Sequence, residues 1–261
     1  MKREAALSRR QMLASVALGG AALGLAGCDR LSNTPASLSI LDSVENLTRR
    51  VQRALLAPRD ALAPEYSPAD LSKTFKPNGS TDPDDPDYVK NRDEQFANWK
   101  LDVGGLIDNP MKLSLADFRG LPSRTQITRH DCVEGWSCIG KWKGALLGPI
   151  LKTAGLKPSV RYIALYCADT LEQTLDGTGQ YYETIDLVDA FHPQTILAYE
   201  MNDEPLPVSH GAPLRLRVER QLGYKMAKYV MRIEAIESFS NISRGNGGFW
   251  EDRGYEWYAG I

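Results

Sequence analysis

The sequence predicts an α+β fold, with mixed β-sheets joined by turns, loops and short helices. Three observations carry this. Apolar residues alternate in several short runs, only brief segments show helical spacing between them, and strands joined mostly by turns and loops argue against a doubly wound sheet. Val44, Leu47, Val51 and Leu55 recur at helical spacing, before a Pro- and Asp-rich stretch from Pro58 to Asp87 that reads as an irregular wrap. Its acidic residues Asp82, Asp84, Asp85 and Asp87 lack the glycine and terminal glutamate of a calcium loop, so a solvated loop is expected.

Regular elements begin near Trp99. Trp99, Leu101 and Val103 alternate as a half-buried strand, and the pairs Gly104-Gly105 and Asn109-Pro110 mark turns. Ser114 with Asp117 three residues later forms a helix-capping pattern. Arg124 to Thr128 reads as a strand leading into the run Arg129 to Ser137. Leu146, Leu147, Ile150, Leu151 and Ala154 predict a helix that Gly155 ends, and Val160 to Cys167 alternates as a strand. Asp186 to Phe191 is a brief helical segment, and Thr195 to Glu200, Leu214 to Val218 and Tyr229 to Ile236 are further strands.

The first residues carry an address. Ser8-Arg9-Arg10-Gln11-Met12-Leu13 precedes an Ala/Gly/Leu-rich stretch from Ala14 to Gly27, the layout of a twin-arginine signal. That stretch is shorter than the roughly 20 apolar residues a bilayer-spanning helix needs. Leu25-Ala26-Gly27-Cys28 resembles a lipoprotein cleavage box in which Cys28 becomes the lipidated first residue; an ordinary signal peptide with an incidental cysteine is the alternative. The expectation is handling by the twin-arginine translocase, which carries folded proteins, and a periplasmic location with anchoring to the inner membrane where Cys28 is lipidated. The predicted organisation is residues 1–28 as signal peptide, 29–90 as N-terminal helix and linker, and 91–261 as the main domain with an aromatic tail.

Removing the signal deletes Lys2, Arg3, Arg9 and Arg10 together with Glu4, taking the formal charge from −2 to −5, so no global basic field points to nucleic acid. The roughly 230 residues left, at 43% hydrophobic content for the whole chain, suffice for a substantial core. Without Cys28 the cysteines are Cys132, Cys138 and Cys167, an odd set in a compartment that favours disulfides. Either one thiol binds something, or Cys132 and Cys138 pair and Cys167 is a small buried hydrophobe.

Two constellations could carry chemistry. In Arg129-His130-Asp131-Cys132-Val133-Glu134, a thiolate at Cys132 suits a soft redox metal, Arg129 and His130 could lower its pKa, and Glu134 could move a proton or simply form a surface ion pair. In His210 to Arg215 and Gly223 to Lys228, small residues admit close backbone approach while Arg215 and Lys228 suit a phosphate; solvent-facing basic side chains beside a turn are the structural alternative. Gly245 to Gly248 has neither the spacing nor the context of a dinucleotide loop, and a zinc site from His130, Cys132, Cys138 and His192 lacks paired-ligand spacing.

At these residues the chain resembles the oxidoreductase molybdopterin-binding domain of the sulfite oxidase superfamily, which includes the catalytic subunits of methionine sulfoxide reductases. The resemblance spans about Asn91 to Ser238. Its most specific segment is Arg129 to Ser137, supported by Thr195 to Ala198, His210 to Arg215 and Gly223 to Lys228. It implies a sulfite-oxidase-type molybdopterin-binding fold, one pyranopterin with molybdenum held by Cys132, and two-electron oxygen-atom transfer on a small sulfoxide- or sulfite-like substrate. It implies pterin and phosphate contacts at His210, Arg215, Met226, Ala227 and Lys228, with Arg129 and His130 adjoining. His210 stands where the reductases carry asparagine, and their Asn-x-x-Tyr-Glu segment has no clean match, Asn78 being the nearest candidate. No haem-attachment or iron–sulfur cysteine set is present, so a separate redox partner is expected, either a membrane haem protein or a soluble cytochrome. The contrasting expectation is a non-catalytic lipid-anchored binding or assembly module built on a Cys132–Cys138 disulfide.

Overall fold

The computed structural model describes residues 61–261, together with the helical positions Leu47 and Val51. The signal peptide, the cleavage box at Cys28 and the rest of the N-terminal helix lie outside the described residues. The chain divides between Pro58 and Arg59. Residues 61–90, expected as linker, therefore belong to the same compact unit as the domain that follows. They wrap over it through contacts with distant parts of the chain: Ala63 N donates to Gln194 Oε1 at 2.8 Å, Glu65 bridges Thr128, and Ser80 Oγ donates to Asp169 Oδ2 at 2.8 Å. Of the acidic cluster, Asp82 pairs with Arg92, Asp85 caps helix α1 (Pro86–Asp93) by accepting from Tyr88 N, and Asp87 lies in the first turn of that helix rather than in a loop.

The described residues form two sheets. In the first, β1 (Lys100–Gly105) lies between β2 (Met111–Ser114) and β10 (Val230–Ile236), and β5 (Tyr162–Thr170) and β6 (Gln180–Asp186) complete the order β2-β1-β10-β5-β6. The β1–β10 pair is parallel and the other pairs are antiparallel, so the sheet is mixed. In the second, β3 (Ser123–Cys132), β4 (Trp136–Leu146), β7 (Ile196–Met201) and β8 (Glu204–Pro205) run in order, with β9 (Arg215–Arg217) also on β7. The short helices are α2 (Leu115–Gly120), α3 (Leu147–Ala154) and α4 (Leu187–Ala190).

Local chemistry accounts for these elements. Ser114 Oγ accepts from Asp117 N while Asp117 receives the Ser114 N–H, a reciprocal cap that starts α2. Gly155 takes the left-handed conformation that closes α3. Leu101 and Val103 of β1 face the main core with Ile163, Leu165 and Ile233, while a smaller cluster of Phe75, Trp142, Ile196 and Met201 fills the second sheet. Strands β4 and β6, which the sequence pattern does not reveal, complete one sheet each.

Candidate active site

Strand β3 aims one face at the interior. Gln126, Thr128 and His130 are buried, and Cys132, next on that side, is half-buried where the strand ends. Gly135 then turns the chain at φ +83°, donating its N–H to Cys132 O at 3.0 Å, and β4 returns antiparallel. Cys132 opens onto a cleft of about 570 Å³, mouth included, that Asn78, Gly79, Glu134, Asp169, Met226 and Lys228 also line. Cys132, Cys138 and Cys167 are all free thiols. Across the β3–β4 ladder Cys138 faces His130, whereas Cys132 faces Trp136. The Cys132–Cys138 disulfide of the binding-module alternative is therefore corrected. Among the described residues no cluster of three potential ligands supports a zinc site either.

Behind the cleft lies a buried cationic wall. Arg215, fully buried on β9, donates to Asn78 Oδ1 at 3.1 Å and to His210 O at 3.3 Å, and its Nε has no partner. Burial first, then Arg217, lowers its pKa to about 9, which leaves it charged at neutral pH. Lys228 donates to Ser80 O and to Ser209 O; burial, then Arg215, bring it down to about 7, against the opposing pull of Asp169. Burial raises Asp169 to about 6, and its Oδ1 is unpartnered. Arg215 and Lys228 place charge-assisted donors at this wall, a setting suited to phosphate.

The sequence-predicted residues other than Arg129 divide into two groups. Asn78, Cys132, Glu134, Met226 and Lys228 line the cleft, and Arg215 joins them through Asn78. His130, His210 and Ala227 sit behind it. The His130 ring is neutral, its pKa held well below the usual range by burial and then by Arg215. Arg217 Nη1 lies 3.2 Å from its Nδ1, and because a guanidinium can only donate, the ring proton belongs on Nε2. Gly223 is needed there, since a Cβ would collide with the ring. His210 is also neutral, lowered to about 4 by burial and then Arg215, with Nδ1 unpartnered. Ala227 is buried and its carbonyl accepts from Leu216 N at 2.8 Å.

Arg129 departs from expectation. It alternates to the outer face of β3 and pairs with Asp131 at 2.9 Å, so it neither reaches the cleft nor activates the thiol. His130, being neutral, does not activate it either. Burial raises the Cys132 thiol pKa, only partly offset by a backbone hydrogen bond from Glu134. Glu134 is at the rim, its carboxylate held by Trp136 Nε1 at 2.9 Å and Lys76 Nζ at 3.2 Å, and those contacts, Trp136 first, lower its pKa. It is thus an exposed acceptor at neutral pH. Asp169 and Tyr181 line the cleft without any sequence motif to announce them, whereas Tyr224 lies within the Gly223 to Lys228 run and Trp250 within the aromatic tail.

Residues 88–242, more than half of the chain, match the family described as the oxidoreductase molybdopterin binding domain. The chain belongs to this family. A relative from Azospira oryzae named "Putative protein-methionine-sulfoxide reductase subunit YedZ1" is 34% identical over 246 residues, covering 94% of this chain and 85% of that one. The protein-methionine-sulfoxide reductase catalytic subunit MsrP of Xanthomonas axonopodis pv. citri is 31% identical, covering 88% of this chain and 70% of that one. The solved sulfane dehydrogenase SoxCD of Paracoccus pantotrophus gives a TM-score of 0.47 at 21% identity, over 54% of this chain and 39% of that one.

The chain is an oxidoreductase of mixed sheets and short helices, and a molybdenum–pterin cofactor is its family's group. The residues fit that group. A free thiol is the soft donor in the cleft, and Arg215 Nε is a buried donor beside it with no partner. Lys228 supplies a second cationic donor on the same cleft.

Proposed function

We propose that this oxidoreductase binds one pyranopterin with molybdenum on Cys132, and that it reduces sulfoxides of the methionine type. The observation that carries this is the placement of the free Cys132 thiol and the Lys228 ammonium on one cleft, with the buried Arg215–Asn78 pair at its wall. Lys228 and Arg215 would hold the pterin phosphate, with His210 contributing its carbonyl to fix Arg215. Met226 would press against the bound group from beside His130, 3.2 Å from the ring. The cofactor supplies two-electron oxygen-atom exchange when bound. Reduction of a sulfoxide then consumes two electrons and two protons and releases thioether and water. Glu134, exposed and ionised, would accept a proton at the rim and hand it inward. The names of the two relatives, which both refer to protein-methionine-sulfoxide reductase, support the substrate class.

Protein from a cofactor-competent host is expected to carry about one molybdenum per chain and to reduce methyl sulfoxides with reduced viologen as donor. Sulfite oxidation without sulfoxide reduction would overturn the substrate assignment, and a metal-free chain the cofactor assignment.

Export by the twin-arginine route to the periplasm, lipidation at Cys28 and a separate haem-protein electron donor belong to the same proposal, supported by the N-terminal pattern and by the absence of further redox-cofactor motifs in the sequence. Replacing Arg9 and Arg10 by lysine is expected to leave the protein in the cytoplasmic fraction. Unchanged fractionation of that variant would rule the route out.

A further inference from the structure

The aromatic tail supplies part of the cleft. Trp250 lines it together with Val133 and Leu171. Tyr255 stacks on the Trp250 ring, with centroids 5.3 Å apart and planes at 28°, and meets the cleft-lining Tyr224 edge-on at 5.2 Å. Neither Trp250 nor Tyr255 is a core residue, unlike their neighbours Phe249 and Trp257: Tyr255 is 39% exposed and Trp250 is partly buried.

This segment is fixed from several sides. Glu251, the next residue after Trp250, ion-pairs with the buried Lys225 at 2.5 Å. Arg253 pairs with Glu172 at 2.6 Å and lies over the Phe249 ring, and Tyr224 Oη donates to Glu256 O at 2.6 Å. Lys225 itself adjoins Met226, so one ion pair ties the aromatic segment to the cofactor-side wall. An aromatic surface held rigid before a ligand arrives loses little freedom on binding.

We propose that Trp250, backed by Tyr255, is the specificity wall of the site. It would receive the apolar arm of the sulfoxide and select arylalkyl and long-chain sulfoxides over dimethyl sulfoxide. A flat aromatic face offers dispersion and sulfur–aromatic contact to such an arm, whereas a substrate with two methyl groups is too small to use it fully. The selection rests on the sulfoxide-reductase function proposed above and adds the residue that sets its preference.

The test compares holoenzymes of equal molybdenum content. Trp250→Ala is expected to raise KM for methyl p-tolyl sulfoxide about tenfold, the size of effect a lost apolar contact produces, while KM for dimethyl sulfoxide stays within about twofold and kcat is little changed. Inhibition by the non-reducible methyl p-tolyl sulfone should weaken in parallel. Trp250→Phe should keep most of the discrimination and Trp250→Leu should lose it, a comparison that serves if the alanine variant folds poorly. Equal KM changes for both sulfoxides, or a fall confined to kcat, would overturn the specificity wall while leaving the reductase function standing. A wild-type enzyme that turns over neither sulfoxide would overturn both.

Discussion

Cys132→Ser is expected to lower sulfoxide-reducing turnover by more than about 100-fold, the upper end of what losing an outer-shell partner of a metal costs. Serine has nearly the same shape but offers a hard oxygen in place of a soft, polarisable sulfur, and soft ligands are what select this class of metal. The fold should be indifferent. The thiol is half-buried at a strand end, and the backbone pairing of Cys132 with Trp136 does not depend on its side chain. Stability to urea should therefore stay within about 0.5 kcal/mol of the wild type. Measured together, activity with an artificial donor and the urea midpoint separate a site role from a structural one. A variant retaining more than a tenth of wild-type turnover would remove the sulfur from the chemistry.

Much of this fold and site is legible in the sequence because local chemistry agrees with the tertiary answer. Leu101 and Val103 alternate where β1 is half-buried, Ser114 and Asp117 cap the helix they precede, and Gly155 stands where a left-handed residue ends α3. Strand β4 escapes because Gly140 and Gly144 occupy interior positions and read as turn residues. The structure needs them small: a Cβ at Gly140 would crowd Phe75 and Trp142, and one at Gly144 would strike the backbone of β7. Strand β6 escapes because Glu183 and Thr184 are fully buried at its centre, which no hydropathy pattern anticipates. The site follows the same division. Cys132 and Lys228 sit in recognisable runs, but Asp169 is a lone carboxylate at a strand end, and only its distant partner Ser80 shows it to be interior. Arg129 illustrates the converse. Proximity to Cys132 in sequence suggests proximity in space, but a strand's period of two sends neighbours to opposite faces.

Lys225→Met is expected to destabilise the protein by about 3–5 kcal/mol at pH 8, because it removes the cation from a buried group of three ionisable side chains. Lys225 Nζ lies 2.5 Å from both Glu183 Oε1 and Glu251 Oε1, and the lysine and Glu183 side chains are fully inaccessible. Two carboxylates share one ammonium, and the second oxygens of both have no partner. Burial first, then the neighbouring Glu251, push Glu183 well above the usual carboxylate range. The wild-type group can thus be neutral with one proton held on the carboxyl pair. Methionine fills a similar length with an apolar chain but leaves the two acids facing each other. The sign of the pH dependence follows from the raised pKa. An acid whose folded pKa exceeds its unfolded value, about 4.5, binds more protons in the folded state, so its contribution is fully present below that value and is lost as pH rises through the folded pKa. The variant should accordingly recover part of its deficit at pH 5, where protonating both carboxyls is cheaper. Because Glu251 adjoins Trp250, the same substitution should also raise KM for aryl sulfoxides. Urea unfolding at pH 5 and pH 8 measures the effect directly, and a loss below about 1 kcal/mol at pH 8 would mean that the lysine stabilises these carboxyls far less than a buried partner should.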